Sequence, residues 1–188
     1  MIGDSGVLPA ARRLRDNPPR AHRAGALRAR LNVAPNGPSR LTLQFSSDLA
    51  ELPRASAAVR AFAARAGLEE EDLLRTELLL SEVVTNAILH AYGGAAGQPV
   101  EVEAEAAPDG VSVCVFNRGE PLDPARLASA SMPLPDPKHP ATLPENGRGL
   151  ALVKELAAEA ACGITAGRNW FRFVIRPGTR KDRDAREL

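Results

Sequence analysis

Polar residues interrupt a largely apolar stretch of the sequence between residues 76 and 91, at Ser81, Glu82, Thr85, Asn86 and His90. Glu82, Asn86 and His90 follow one another at intervals of four, which on an α-helix places them along one stripe. A carboxylate and an amide oxygen one helical turn apart suit a hard cation such as Mg²⁺, completed by water and phosphate oxygens. Buried polar groups also serve purely structural roles, so capping or pairing with neighbouring elements is the alternative interpretation.

Two glycine-containing segments further along the chain could bind a flat ligand or an anion. A predicted strand ends in Asn117, and Gly119 follows two residues later, where a glycine lets the backbone approach a ligand closely. Gly147 and Gly149 directly precede a predicted helix, whose first N–H groups attract phosphate, and Arg148 lies between them. Taken alone, each segment is more typical of an ordinary turn than of a binding site.

The elements that carry these residues follow from hydrophobic periodicity and from turn residues. Long helices beside strand hairpins predict an α+β two-layer sandwich, in which helices cover one face of a mixed, mostly antiparallel sheet. A Rossmann fold would require alternating βαβ units, and the predicted strand hairpins argue against it. The predicted strands are 41–45, 100–106, 111–116, 162–166 and 170–175, and the predicted helices are 49–66, 69–91, 123–130 and 147–161.

The composition is that of one globular domain with tails: 188 residues, 44% hydrophobic and 25% charged. We predict a disordered Pro/Arg-rich tail at 1–38, with a short helix around 21–31 as the alternative, a folded domain at 39–177 and a charged tail at 178–188. The basic tail could touch RNA or an acidic partner, or simply be solvated. Because the net charge is only +1, direct nucleic-acid binding is not expected.

The sequence carries no signal for a membrane or for secretion. No window reaches the ~18 apolar residues of a membrane span, and the first residues lack the basic and apolar regions of a signal peptide. Cys114 and Cys162 do not have the spacing of metal ligands, which favours two reduced thiols in the cytoplasm. We therefore expect a cytoplasmic protein.

Taken in order, the candidate segments resemble the N, G1 and G2 boxes of the GHKL ATPase superfamily, which includes gyrase, Hsp90, histidine kinases and MutL. The closer similarity is to the small bacterial anti-sigma factor serine/threonine kinases. Residues 82–87 and 90–92 resemble their N box, 117–124 their G1 turn and 147–153 their G2 turn. Residues 167–173 lie where that family has its closing strand. The resemblance implies the histidine-kinase-like (Bergerat) ATPase fold.

The resemblance spans about residues 40–176 and implies roles for several positions. Asn86 would ligate Mg²⁺, Glu82 would be the general base that takes a proton from a substrate hydroxyl, and Asn117 occupies the adenine-reading position. The segment between the two glycine turns would form a lid over the phosphates. The other nucleotide-binding residues that it implies are Gly119, Gly147, Arg148, Gly149 and Leu150.

The cofactors implied by the resemblance are ATP and Mg²⁺, and the partners are a sigma factor and an antagonist protein. The protein would sequester the sigma factor and phosphorylate a serine or threonine of the antagonist, which in its unmodified form releases the sigma factor. A homodimer is also implied. The alternative is a non-catalytic or weakly nucleotide-binding module of the same fold that only sequesters a partner. A detached regulatory ATPase domain is a third interpretation.

One residue departs from the family pattern, which usually has aspartate at the position of Asn117. Aspartate accepts a hydrogen bond from the adenine amino group. Asparagine is neutral and brings an NH₂ group that needs its own acceptor. A charged acceptor contributes ~1.5–3 kcal/mol against ~1 for a neutral one, so we predict ATP binding weakened by roughly tenfold or more. Asparagine can also donate, so an altered base preference is the alternative outcome.

Overall fold

The computed structural model of the protein describes residues 27–33, 39–132 and 148–178. The predictions for most of the two tails, for most of the lid and for Gly147 lie outside these residues. The described elements are, in chain order, β1 Arg28–Asn32, β2 Arg40–Ser46, a 3₁₀ turn Leu49–Glu51, α1 Leu52–Arg65, α2 Glu70–Asn86, a π-helical turn Ala87–Ala91, β3 Pro99–Ala107, β4 Gly110–Asn117, α3 Pro124–Ser129, α4 Arg148–Leu156, β5 Glu159–Thr165 and β6 Arg168–Ile175.

The described strands form one sheet in the order β1-β2-β3-β4-β6-β5. Every hydrogen-bonded pair of these strands is antiparallel. Strand β5 runs in the same direction as β4, but β6 lies between them, so the two never pair. The α+β sandwich predicted from the sequence is confirmed, and its sheet is antiparallel throughout the described strands rather than mixed.

The core lies between the sheet and helices α1 and α2. Alternate residues of the central strands are fully buried against the helices, as in β3 at Val102, β4 at Val113 and β6 at Phe173. The intervening residues, such as Glu103, are only half-buried. This period of two is what a sheet covered on one face requires. The described core fixes the relative positions of α2, β4 and β6, which carry the candidate site.

Strand β1 corrects the predicted extent of the N-terminal tail. Residues 28–32 were expected to be disordered, but they pair in register with β2, for example Arg30 with Thr42. All five residues are exposed, so β1 is held by backbone pairing with β2 rather than by a buried side-chain face. A strand without a buried face has no hydrophobic alternation, and the sequence pattern therefore could not reveal it.

The helix predicted at 147–161 is shorter, because α4 ends at Leu156 and β5 begins at Glu159. The alanine-rich residues between 157 and 161 have high helix propensity. Their backbone instead joins the sheet, where the Ala158 N–H donates to the Val174 carbonyl at 2.8 Å and residues 159–161 pair with β6. Pairing with a neighbouring strand therefore overrides local propensity here.

The helix does not stop at Asn86 but continues, as predicted, to Ala91, and its last five residues form the π-helical turn, which we count as the end of α2 from here on. Such turns widen the helix by one residue and are frequent at functional sites. The turn contains His90 and leads into Tyr92. None of the described helices is long and apolar enough to span a lipid bilayer.

Candidate functional site

The polar stripe predicted on α2 opens onto a cleft, which we call the helix-side cleft. Glu82, Asn86 and His90 all line it. Glu82 and Asn86 are half-buried, and His90 is exposed. The structure therefore brings the predicted carboxylate and amide into one accessible site. The other lining residues of this cleft are Val83, Thr85, Leu89, Arg126, Gly149, Leu150 and Val153.

A second cleft, the sheet-side cleft, lies between the end of α2 and strands β4, β5 and β6. Val83, Asn86, His90 and Arg126 line both clefts, so the two adjoin and form one groove. The empty space of the sheet-side cleft, counted together with its open mouth, is about 600 Å³. Its other lining residues are Ala87, Ala91, Val115, Asn117, Glu120, Pro121, Leu122, Cys162, Gly163, Asn169, Trp170 and Phe171.

Gly149 packs directly against the Glu82 carboxylate. A Cβ atom on residue 149 would lie 2.4 Å from Glu82 Oε2, far closer than a non-bonded contact allows. The carboxylate can therefore occupy its present position against the first turn of α4 only because residue 149 is glycine. The partial positive charge of a helix N-terminus also favours a carboxylate at this position. Gly149 consequently shapes the site of Glu82 in addition to its predicted role in phosphate binding.

Gly119 approaches the end of α2 rather than the groove. A Cβ atom there would lie 2.1 Å from the Ala91 carbonyl oxygen and 2.9 Å from Cδ1 of Tyr92. The Glu120 N–H donates to the same carbonyl oxygen at 2.7 Å. Among the described residues, those that line the two clefts do not include Gly119. The close approach that the sequence assigned to a ligand is, in this structure, an approach to α2.

Tyr92 holds the loop after β4 to the start of β3. Its hydroxyl donates to the Pro99 carbonyl at 2.6 Å and accepts from the Arg118 N–H at 2.8 Å. Desolvation of the phenol raises the pKa of Tyr92 above its ordinary value, because burial disfavours the phenolate. The two hydrogen bonds position the loop that carries Asn117 beside the end of α2.

Asn117 ends β4 and lies opposite Asn169 of β6 in the sheet register. Its Oδ1 accepts from the Gly119 N–H at 3.1 Å and from Asn169 Nδ2 at 2.9 Å. Asn169 Nδ2 also donates to the Gly119 carbonyl oxygen at 2.8 Å. The side-chain amide at the predicted base-reading position is therefore held by both the loop and the neighbouring strand.

The remaining predicted residues are placed less uniformly. Leu150 lines the helix-side cleft. Arg148 begins α4 and is half-buried, but within the described chain it is absent from the lining of both clefts. Sequence reasoning missed Asn169 and Arg126. Asn169 is revealed only by the register of β6 against β4. Arg126 lies on α3 and lines the groove because of where the tertiary structure places that helix.

The donor set of the groove fits a magnesium-nucleotide. The described residues contain no group of three or more His, Cys, Asp and Glu side chains that could hold a metal ion by themselves. Glu82 and Asn86 do supply a carboxylate and an amide oxygen, and Arg126 supplies a cation beside them. Mg²⁺ is usually held by one or two protein oxygens together with phosphates and water. Asn86 is the residue that would hold the ion alongside a phosphate chain.

Comparisons with known proteins agree with this architecture. The profile of the histidine kinase-like ATPase domain matches residues 45–175. An anti-sigma F factor of Pasteuria penetrans is 35% identical over 82 residues, a match covering 43% of this chain and 55% of that relative. The chain thus matches about half the length of this relative. Because the family profile covers most of the sequence, the chain belongs to the histidine kinase-like ATPase domain family, as its resemblance to the GHKL superfamily predicted.

Proposed function

We propose that the protein is a nucleotide-dependent anti-sigma factor that sequesters a sigma factor and phosphorylates a serine or threonine of an antagonist protein. The observation that carries the proposal is the meeting of Glu82, Asn86 and Gly149 in one cleft. ATP with Mg²⁺ is the nucleotide that the family implies. The partial match to an anti-sigma F factor supports a sigma factor as the partner. A homodimer in the cytoplasm is part of the same proposal.

The chain's own residues have distinct roles in this reaction. Glu82 is the general base: it accepts the proton of the substrate hydroxyl as the hydroxyl oxygen bonds to the terminal phosphorus of the nucleotide. The bond from that phosphorus to the bridging oxygen breaks, and the nucleoside diphosphate leaves. Arg126 and the first N–H groups of α4 offset negative charge on the phosphates. Mg²⁺, when bound through Asn86, supplies further charge neutralisation along the phosphate chain. Residues of the sheet-side cleft orient the base.

A second candidate function is a module that sequesters its partner without turning over nucleotide. Asn117 favours it, because the family's charged acceptor for the adenine amino group is replaced by a neutral amide. The difference between the two candidates lies in catalysis, since both use the same fold and the same protein partners. Nucleotide binding and phosphoryl transfer therefore separate them.

Calorimetric titration of the full chain with Mg-ATP tests the proposal. We expect micromolar binding that weakens at least about tenfold in Asn86→Ala, and binding without phosphoryl transfer to a candidate antagonist in Glu82→Ala. Asn32→Ala, on the exposed strand β1, is the matched control and should bind like the wild type. If no purine nucleoside triphosphate binds at millimolar concentration, the proposal fails and the sequestering module becomes the better description.

A further inference from the structure

The orientation of the Asn117 amide is fixed by backbone groups that have only one possible role. The Gly119 N–H can only donate, so the atom facing it at 3.1 Å must be the oxygen Oδ1. The Gly119 carbonyl can only accept, so the atom of Asn169 that faces it at 2.8 Å must be the nitrogen Nδ2. The bond from Asn169 Nδ2 to Asn117 Oδ1 agrees with both assignments.

Turning over the Asn117 amide would break this network. Its NH₂ group would then face the Gly119 N–H and the Asn169 NH₂, which are both donors. Asn169 cannot adapt by turning over as well, because its oxygen would then face the Gly119 carbonyl oxygen. A buried or half-buried donor without an acceptor is unfavourable, so the observed orientation is strongly preferred.

The group left to face a ligand is the Asn117 NH₂. Strand alternation places the Asn117 side chain on the helix-facing side of the sheet, as for Val113 and Val115, and Asn117 lines the sheet-side cleft. Its Nδ2 donates to no described residue. Among the described residues, Arg75 Nε is the one fully buried side-chain polar atom without a hydrogen-bond partner. Asn117 Nδ2 also has no partner there, so it is not fully buried. The position therefore offers donors to the groove, and its oxygen is already used.

The geometry points to a 6-oxopurine nucleotide, such as GTP or ITP, as the preferred ligand of this groove; the inference rests on the proposed nucleotide-binding function. Guanine and hypoxanthine present two neighbouring acceptors, O6 and N7, to a pair of donors. Adenine presents the N7 acceptor beside the N6 amino group, which is a donor. An NH₂ that faces an amino group leaves one donor on each side without an acceptor. Asn117 is thus the specificity-determining residue for the base.

Titration of the wild-type chain with three nucleotides tests the preference for a 6-oxopurine base. We expect Mg-GTP and Mg-ITP to bind at least about tenfold more tightly than Mg-ATP, the factor expected for one mismatched hydrogen bond. ITP shares O6 and N7 with GTP but lacks the 2-amino group, so similar affinities for both assign the preference to the 6-oxo group. Tight binding of GTP with weak binding of ITP would overturn the inference, because the 2-amino group would then be the feature recognised.

Two variants test the cause of the preference. Asn117→Asp replaces the free donor with an acceptor and should reverse the order, so that Mg-ATP binds more tightly than Mg-GTP. Asn169→Ala removes one of the two donors that hold the Asn117 oxygen, while the Gly119 N–H remains, so the variant should narrow the preference for Mg-GTP without reversing it. Asn32→Asp makes the same chemical change as Asn117→Asp on the exposed strand β1 and should leave the wild-type order unchanged. If the Asn117→Asp variant still prefers Mg-GTP, then Asn117 does not determine the base preference and the inference is wrong.

The failure of this inference differs from the failure of the proposed function. If the wild type binds Mg-ATP as tightly as Mg-GTP and Mg-ITP, or more tightly, the base preference is wrong and the nucleotide-dependent function stands. If the chain binds none of the three at millimolar concentration, both proposals fail. Thermal unfolding of each variant separates loss of binding from loss of the fold.

Discussion

Replacing Gly149 with alanine should disable phosphoryl transfer without harming the fold. The added Cβ would lie 2.4 Å from Glu82 Oε2, whereas ordinary contacts begin at 3.4 Å. The carboxylate must therefore move by about 1 Å, the difference between these two distances. The obstructing atom is the end of a flexible side chain rather than backbone, so the side chain yields and α4 stays in place.

The two consequences of Gly149→Ala are of different size. Alanine stabilises a helix by roughly 0.5–1 kcal/mol relative to glycine, which offsets the small strain of moving the carboxylate. We therefore expect a melting temperature within a few degrees of the wild type. A general base misplaced by about 1 Å lowers turnover on the order of 100-fold. Transfer should fall far more than either stability or nucleotide affinity.

The assay measures phosphoryl transfer with the nucleotide that binds most tightly, together with calorimetric affinity and thermal unfolding. Glu82→Gln, which keeps the shape of the side chain, gives the rate without a general base. In a Glu82→Ala background the added methyl group has nothing to displace, so Gly149→Ala should have little further effect there. Turnover of Gly149→Ala within about threefold of the wild type would refute the claim that the close packing of Gly149 positions Glu82.

Gly119, Tyr92 and Cys114 each give a further prediction. Gly119→Ala brings a Cβ to 2.1 Å from a backbone oxygen of Ala91, so we expect a loss of ~1–3 kcal/mol in urea unfolding; an unchanged midpoint would contradict the packing. Tyr92→Phe removes two hydrogen bonds and should destabilise by ~1–3 kcal/mol. Because the pKa of Tyr92 is raised above 10.0 in the folded state, wild-type stability should also decline above that pH, and less so in the variant. Burial raises the pKa of the Cys114 thiol to about 12, so its alkylation, followed by mass spectrometry, should be slow at pH 8 and accelerate about tenfold per pH unit up to that value.

The elements with strong internal patterns were predictable from the sequence. The apolar periodicity of α2 and the stripe of Glu82 and Asn86 identified the central helix and its polar face. The β3–β4 hairpin was predictable from two alternating runs around a tight turn at Gly110. In each case the local pattern and the tertiary environment favour the same structure, so one window of sequence carries enough information.

The parts that the sequence did not reveal depend on contacts between distant segments. Strand β1 has no buried face, and the Asn117–Asn169 pair arises from the register of two strands far apart in the chain. The packing of Gly119 on Ala91 likewise depends on where the end of α2 lies. A glycine that makes room for a neighbouring backbone and a glycine that makes room for a ligand give the same sequence signal. Only the tertiary structure separates these two meanings.

The hydrogen bonds around Asn117 favour a working nucleotide site over a vestigial one. The Gly119 N–H and the Asn169 NH₂ would serve an aspartate at position 117 as well as they serve the asparagine, because both residues present an oxygen to them. Asparagine in place of aspartate therefore keeps both hydrogen bonds to the side-chain oxygen and changes only the atom that faces the groove. The residues proposed to recognise the base lie on β4 and β6, while the proposed catalytic carboxylate lies on α2 against α4. A change in the base that is read can consequently occur without a change in phosphoryl transfer.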